Sequence, residues 1–143
     1  MRNSIKNTLL LFAALSVLVL HTSSCKRYEE GPAFTLRTAK ARLVNTWEIE
    51  KYMVNGEDIT ALVLPFFGEH SLELSRDNRY EWNIGGMNEK GKWSFIENRD
   101  KVEMLEDGDS IKFSQKIIKL TNNEFWVEGQ EDGDNIEVHY KTK

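Results

Sequence analysis

From Leu43 onward, apolar and polar side chains alternate at period two in short runs. Leu43, Trp47, Ile49 and Met53 share one side of the first run. Leu72 and Leu74 repeat the alternation, as do Tyr80, Trp82 and Ile84, then Trp93 and Phe95, then Val102 and Met104. Ile111 and Phe113 keep the phase, whereas Ile118 and Leu120 sit one step out of it, which predicts a bulge near residues 114–116. Phe125 with Val127, and Ile136 with Val138 and Tyr140, complete the series. Such alternation marks strands with one buried face, and here it predicts eight of them. The breaks carry Asp77-Asn78, Gly85-Gly86, Asp107-Gly108, Asn122-Asn123 and Asp132-Gly133, residues suited to tight turns. Short connections make sequential strands antiparallel neighbours. An eight-stranded meander with one apolar face buries it by closing on itself. The predicted fold is therefore an all-β, up-and-down antiparallel barrel over residues 35–143, with a two-sheet sandwich as the alternative.

Two segments depart from this pattern. Thr35 to Arg42 predicts a short helix with Thr35 as its N-cap. Asn55 to Glu69 is the one long connection, and it places Ile59, Leu62, Val63, Leu64, Phe66 and Phe67 within nine positions. A long connection in a compact domain is often a functional lid; the other reading is a short helix that plugs the barrel. In a meander, the connections after odd-numbered strands gather at one end. That end holds the long apolar loop and both Glu-Asp-Gly-Asp turns, residues 106–109 and 131–134. The opposite end holds the tight turns and the chain termini. Met53, Leu72, Trp82, Ile84, Trp93, Met104, Phe113 and Val127 are the candidate lining of the lumen and mouth, with Leu62, Leu64, Phe66 and Phe67 as the lid. Trp47 should plug the closed end. The inward aromatics either line a ligand site or fill the barrel.

The N-terminal residues carry a different signal. Arg2 and Lys6 precede a run of 12 apolar and small residues, Leu9 to Leu20, against the roughly 20 needed to span a bilayer as a helix. Thr22, Ser23 and Ser24 then lead to Cys25, the one cysteine of the chain. This is the layout of an export signal over residues 1–24. A single cysteine allows no internal disulfide, and its position resembles a lipobox. The resemblance implies cleavage before Cys25, acylation of its thiol and amino group with fatty acid such as palmitate, and anchoring to a membrane. Residues 25–34 would then be the lipidated cysteine and a tether. Residues 1–24 hold two basic side chains and no acidic ones, so the net charge moves from −4 to −6 on their removal. An acidic domain does not favour nucleic acid as a partner.

Catalytic patterns are missing. Beyond His21 in the leader there are only His70 and His139, too few for a zinc site with no second cysteine, and no nucleophile elbow or phosphate-binding glycine loop occurs. The expectation is a non-enzyme without cofactor. The acidic turns, with Glu57 and Asp58 nearby, raise a calcium site, but neither has the spacing of a dedicated calcium loop, and solvated hairpin turns are the favoured reading.

Five short motifs in order carry a resemblance: Leu43-Val44-Asn45-Thr46-Trp47, Asn55-Gly56-Glu57-Asp58-Ile59-Thr60, Asp77-Asn78-Arg79-Tyr80, Gly91-Lys92-Trp93-Ser94-Phe95 and Ile118-Lys119-Leu120-Thr121. Together the chain resembles the lipocalin-like domain lipoproteins of the Bacteroidota. The resemblance implies an up-and-down barrel with an open mouth. The expected function is a membrane-anchored binding protein of the cell envelope, in the outer membrane, that takes a small apolar or amphipathic ligand at the barrel mouth. The alternative is a module that contacts an envelope protein partner through its loops.

Overall fold

The computed structural model describes residues 27–32 and 35–143. The leader, Cys25 and its lipid site lie outside the described residues. Nine strands follow in order: β1 (Asn45–Val54), β2 (Glu57–Asp58), β3 (His70–Leu74), β4 (Arg79–Ile84), β5 (Met87–Ile96), β6 (Lys101–Glu106), β7 (Lys112–Leu120), β8 (Glu124–Glu131) and β9 (Asp134–Thr142). Among the described residues, two short α-helices, α1 (Ala39–Leu43) and α2 (Thr60–Phe67), and one 3-10 turn (Glu97–Arg99) accompany them. Strand β2 is a two-residue stub on the end of β1. The other eight form a meander in which every neighbour is antiparallel, and β1 pairs with β9 to close the barrel. Closure leaves no open edge between the first and last strands. Asp132 and Gly133 show why the turn sequences were informative: both have positive φ, 50° and 93°, as the tightest hairpin turn requires.

The interior is unevenly filled. Trp47, Trp93, Phe125, Leu43, Leu74, Leu120, Val102 and Val127 are the largest fully buried side chains. The Trp47 indole N–H donates to the Leu43 carbonyl at 2.9 Å, its ring lies 5.6 Å from Phe125, and Phe125 stacks on Tyr140. Trp47 thus packs the closed end beside α1, as its place on the apolar phase predicted.

Four local expectations are corrected. The first helix begins at Ala39, and its N-cap is Thr38, whose side chain accepts the Ala41 N–H. Thr35 instead forms a local turn with Arg37. A helix this short holds only where it packs: Ala39 and Leu43 are buried, while Leu36 is 93% exposed. Leu43, assigned to the first strand by its phase, closes this helix.

The second correction concerns bulges. In β1 the register against β9 shifts between Ile49 and Lys51. Glu50 is the extra residue, and beyond it Tyr52, not Met53, is opposite Val138 and faces inward. In β7 the shift lies between Ile117 and Lys119, later than residues 114–116. Period two therefore runs unbroken through Phe113, Gln115 and Ile117, and the extra Ile118 returns Leu120 to the core.

Third, Ile111 is not on an inward phase. It precedes β7, is 76% exposed, and its N–H is taken by the Asp109 carboxylate. Fourth, residues 27–30, within the stretch read as a tether, lie against the barrel. The Arg27 guanidinium donates to Asn98 O at 2.7 Å, Glu29 pairs with Lys116 at 2.5 Å, and Glu30 forms a parallel bridge to Lys119. Tyr28 is buried beside the Arg42 guanidinium, 5.9 Å from its ring, and donates to Arg99 O. Arg42 in turn reaches the Leu120 carbonyl. Residues 27–30 thus cover a buried arginine at the closed end.

Candidate functional site: the barrel mouth

The apolar connection after β1 folds into α2 because its start is pinned. Asp58 accepts the Thr60 N–H at 3.0 Å, and the Thr60 hydroxyl accepts the Tyr52 N–H at 2.8 Å. Gly68, at φ 58°, ends the helix. Residues three apart share a helix face, and this divides the lid residues in two. Leu64 and Phe67 pack against the barrel core, whereas Leu62 and Phe66 are 67% and 86% exposed. Phe67 meets the Tyr52 ring edge-on at 6.0 Å. The helix is therefore a stopper along one face and bare on the other. Phe67→Ala should cost roughly 1–3 kcal/mol in urea denaturation, and Phe66→Ala under about 0.5 kcal/mol. Equal losses for the two would contradict this division.

Below Phe67 lies a cavity of about 170 Å³. Leu72, Trp82, Ile84, Met104 and Phe113 line it, as the strand phases predicted. Three other candidates do not, and are corrections. Met53 is turned away by the bulge at Glu50. Trp93 sits at the closed end, where its indole N–H donates to Ser75 O at 3.2 Å and its ring meets Phe95 edge-on. Its strand begins at Met87, so Trp93 is well below the mouth. Val127, opposite Ile117, is fully buried in the packed half.

The structure adds polar groups to the lining that the apolar pattern did not select. Tyr52, Gln115 and Tyr140 all border the cavity. Gln115 is 7% and Tyr140 4% exposed as whole residues, but neither the Gln115 amide nor either phenol is among the buried polar atoms without a partner, which in the described residues are Arg42 Nε and Trp126 Nε1. The Gln115, Tyr52 and Tyr140 polar atoms are therefore accessible from the cavity. Burial raises the Tyr140 pKa and holds its hydroxyl neutral; burial first, then Glu131, does the same for Tyr52. This cavity therefore offers an apolar wall with a few hydrogen-bonding groups left for whatever enters, the usual composition of a small-molecule site. Gln115 was legible only after the true bulge position was known, and Tyr52 likewise.

Around the mouth, Met87 and Ile111 are exposed, Phe113 partly so. The acidic turns stand at this rim. Asp107 of the first is engaged by Arg79, whose guanidinium donates to it at 2.8 Å, and that hydrogen bond first, then the charge of Arg79, lowers its pKa. Asp134 of the second accepts from the Asn55 amide at 2.8 Å. Both carboxylates are thus taken up by side chains of other elements of the chain.

Fold and mouth together define a closed, eight-stranded antiparallel barrel of lipocalin-like form. No family model matches the chain, and no curated protein matches it. Among solved structures, a lipocalin-like protein from Bacteroides uniformis is similar, with a TM-score of 0.51 at 10% sequence identity; the match covers 71% of this chain and 99% of that one. A likeness at this identity concerns the fold.

Proposed function

We propose that the protein is a lipid-anchored binding protein of the bacterial cell envelope, in the outer membrane, whose barrel mouth receives a small apolar or amphipathic molecule. The observation that carries the reading is the 170 Å³ cavity, whose mainly apolar lining also carries the polar side chains of Tyr52, Gln115, Gln130, Glu131 and Tyr140. Its size suits a ring or a short branched chain, since an apolar cavity near 150 Å³ admits benzene. The reading includes no catalytic step and no cofactor. Anchoring through Cys25 rests on the sequence layout of residues 1–25. With Arg27 already bonded to the closed end, a lipid on Cys25 would hold that end toward the membrane and leave the mouth outward. The second reading, contact with an envelope protein through the loops, draws on the bare apolar side chains of Leu62, Phe66, Met87 and Ile111 at the rim.

Native mass spectrometry of protein purified from its own membranes tests both halves. The expected result is an acylated Cys25 and a small non-covalent adduct that dissociates on activation. A co-purified protein in place of the small adduct would favour the second reading. Cys25→Ser should move the protein from the membrane fraction to the soluble fraction. Retention of that variant on membranes after a high-salt wash would overturn the anchor.

A further inference from the structure

A second hollow opens beside the first. It has a volume of about 310 Å³ and is lined by Trp82, Ile84, Met87, Asn88, Glu89 and Glu106. Trp82 and Ile84 also line the main cavity, so the two spaces share a wall. The hollow exists because β4 and β5 outrun β6: residues 87–89 pair with β4 alone, while β6 stops at Glu106, opposite Gly91, with the Asp107 N–H still donating to Lys90 O.

The chemistry of this hollow is one-sided. Trp82 is directly opposite Glu89 in the β4–β5 register. Glu89 and Gly91 share a face, and Gly91 pairs with Glu106, which places the two carboxylate-bearing positions roughly 7–8 Å apart on the diagonal. Glu89 is half-buried and accepts the Tyr80 hydroxyl at 2.5 Å. Among the described residues neither Glu89 nor Glu106 takes part in an ion pair. Of the nearby cations, Arg79 is paired with Asp107 and Lys90 with Glu81, and Lys92 lies beside Asp107, on the strand face opposite to that of Glu89 and Gly91. Burial, the Glu89 hydrogen bond and the charges of Glu89, Glu106 and Asp107 all raise the Tyr80 pKa, which accords with a negative potential in this corner. Negative charge between low-dielectric walls concentrates field on the space it borders, and an indole face beside it attracts a cation further.

We propose that the ligand is a cationic amphiphile: a protonated or quaternary amine carried on a compact apolar or aromatic body. The body enters the main cavity beneath Phe67, and the ammonium rests in the side hollow against Trp82, Glu89 and Glu106. This rests on the binding reading given above and names the ligand class for the same mouth.

Three probes of one shape separate the two ideas: 2-phenylethylamine, 2-phenylethanol and phenylacetate, titrated into the full mature chain at pH 7 by calorimetry. The amine should bind at least tenfold tighter than the alcohol, and phenylacetate weakest. Glu89→Gln and Glu106→Gln should each cut the amine affinity severalfold, leave the alcohol unchanged, and flatten the salt dependence of amine binding. The amide of Glu89→Gln still accepts from Tyr80, and Glu106→Gln touches no internal hydrogen bond, so either variant serves if the other folds poorly. Equal affinities for amine and alcohol would overturn the cation site while leaving the cavity reading intact. Failure of all three to bind would overturn both.

Discussion

Trp47→Ala should destabilise the barrel by roughly 3–5 kcal/mol, measured by urea denaturation. The ring has no exposed surface, packs against Phe125, and holds α1 to the closed end through the Leu43 carbonyl. Its removal leaves a void that the surrounding strands cannot collapse into, because β1 is fixed on both sides by β3 and β9. Against a total stability of about 5–15 kcal/mol for a typical domain, this is a large share, and the melting temperature should fall by on the order of 10 °C or more. A loss below about 0.5 kcal/mol would place the ring in solvent and overturn the phase of β1.

Gly91→Ala should cost at least about 3 kcal/mol, at the upper end of overpacking effects. A Cβ at this position would lie 2.1 Å from the Leu105 carbonyl oxygen, 2.5 Å from the Tyr80 ring and 2.9 Å from the Glu106 Cα. Two of these are backbone atoms of the paired strand, and β6 is held in register from Lys101 to Glu106, so relief requires breaking the ladder. The Tyr80 ring has no easy retreat either, being buried and tied to Glu89. Gly129 is the matched control: a Cβ there meets nothing closer than 3.5 Å, and Gly129→Ala should change stability by under about 1 kcal/mol. Equal stability of the Gly91 and Gly129 variants would contradict the β5–β6 register.

Gly91 also marks where sequence pattern and fold part company. A glycine has no side chain to show an inward or outward phase, and this one lies in mid-strand, where a neighbouring ring and backbone approach too closely for any side chain. The alternation of Leu72, Trp82, Ile84, Met104 and Phe113 was legible because nothing interrupts the pleat between those positions, and each lines the cavity. The closed barrel followed from the same alternation and the turn residues. Met53 was misplaced because one extra residue, Glu50, flips the face of everything after it, and nothing in the side-chain pattern announces a bulge in a strand that reads Glu48-Ile49-Glu50-Lys51-Tyr52-Met53. Trp93 was misplaced for a different reason: its inward phase was right, but phase says nothing about height along the barrel, which depends on where β5 starts. The lid loop divided between stopper and bare surface because helical periodicity, not loop composition, decides which of Leu62, Leu64, Phe66 and Phe67 faces inward.

The central claim is that a small molecule enters the space beneath Phe67. The most direct measurement is a methyl-resolved NMR titration of the mature chain with 2-phenylethanol, a neutral probe sized for the cavity. The account predicts saturable shifts of the Leu72, Met104, Ile136 and Val138 methyls, all on the cavity lining, while Val102 and Leu120 in the packed half stay still. Shifts confined to the exposed Leu62 and Met87 methyls, or none at millimolar probe, would contradict it.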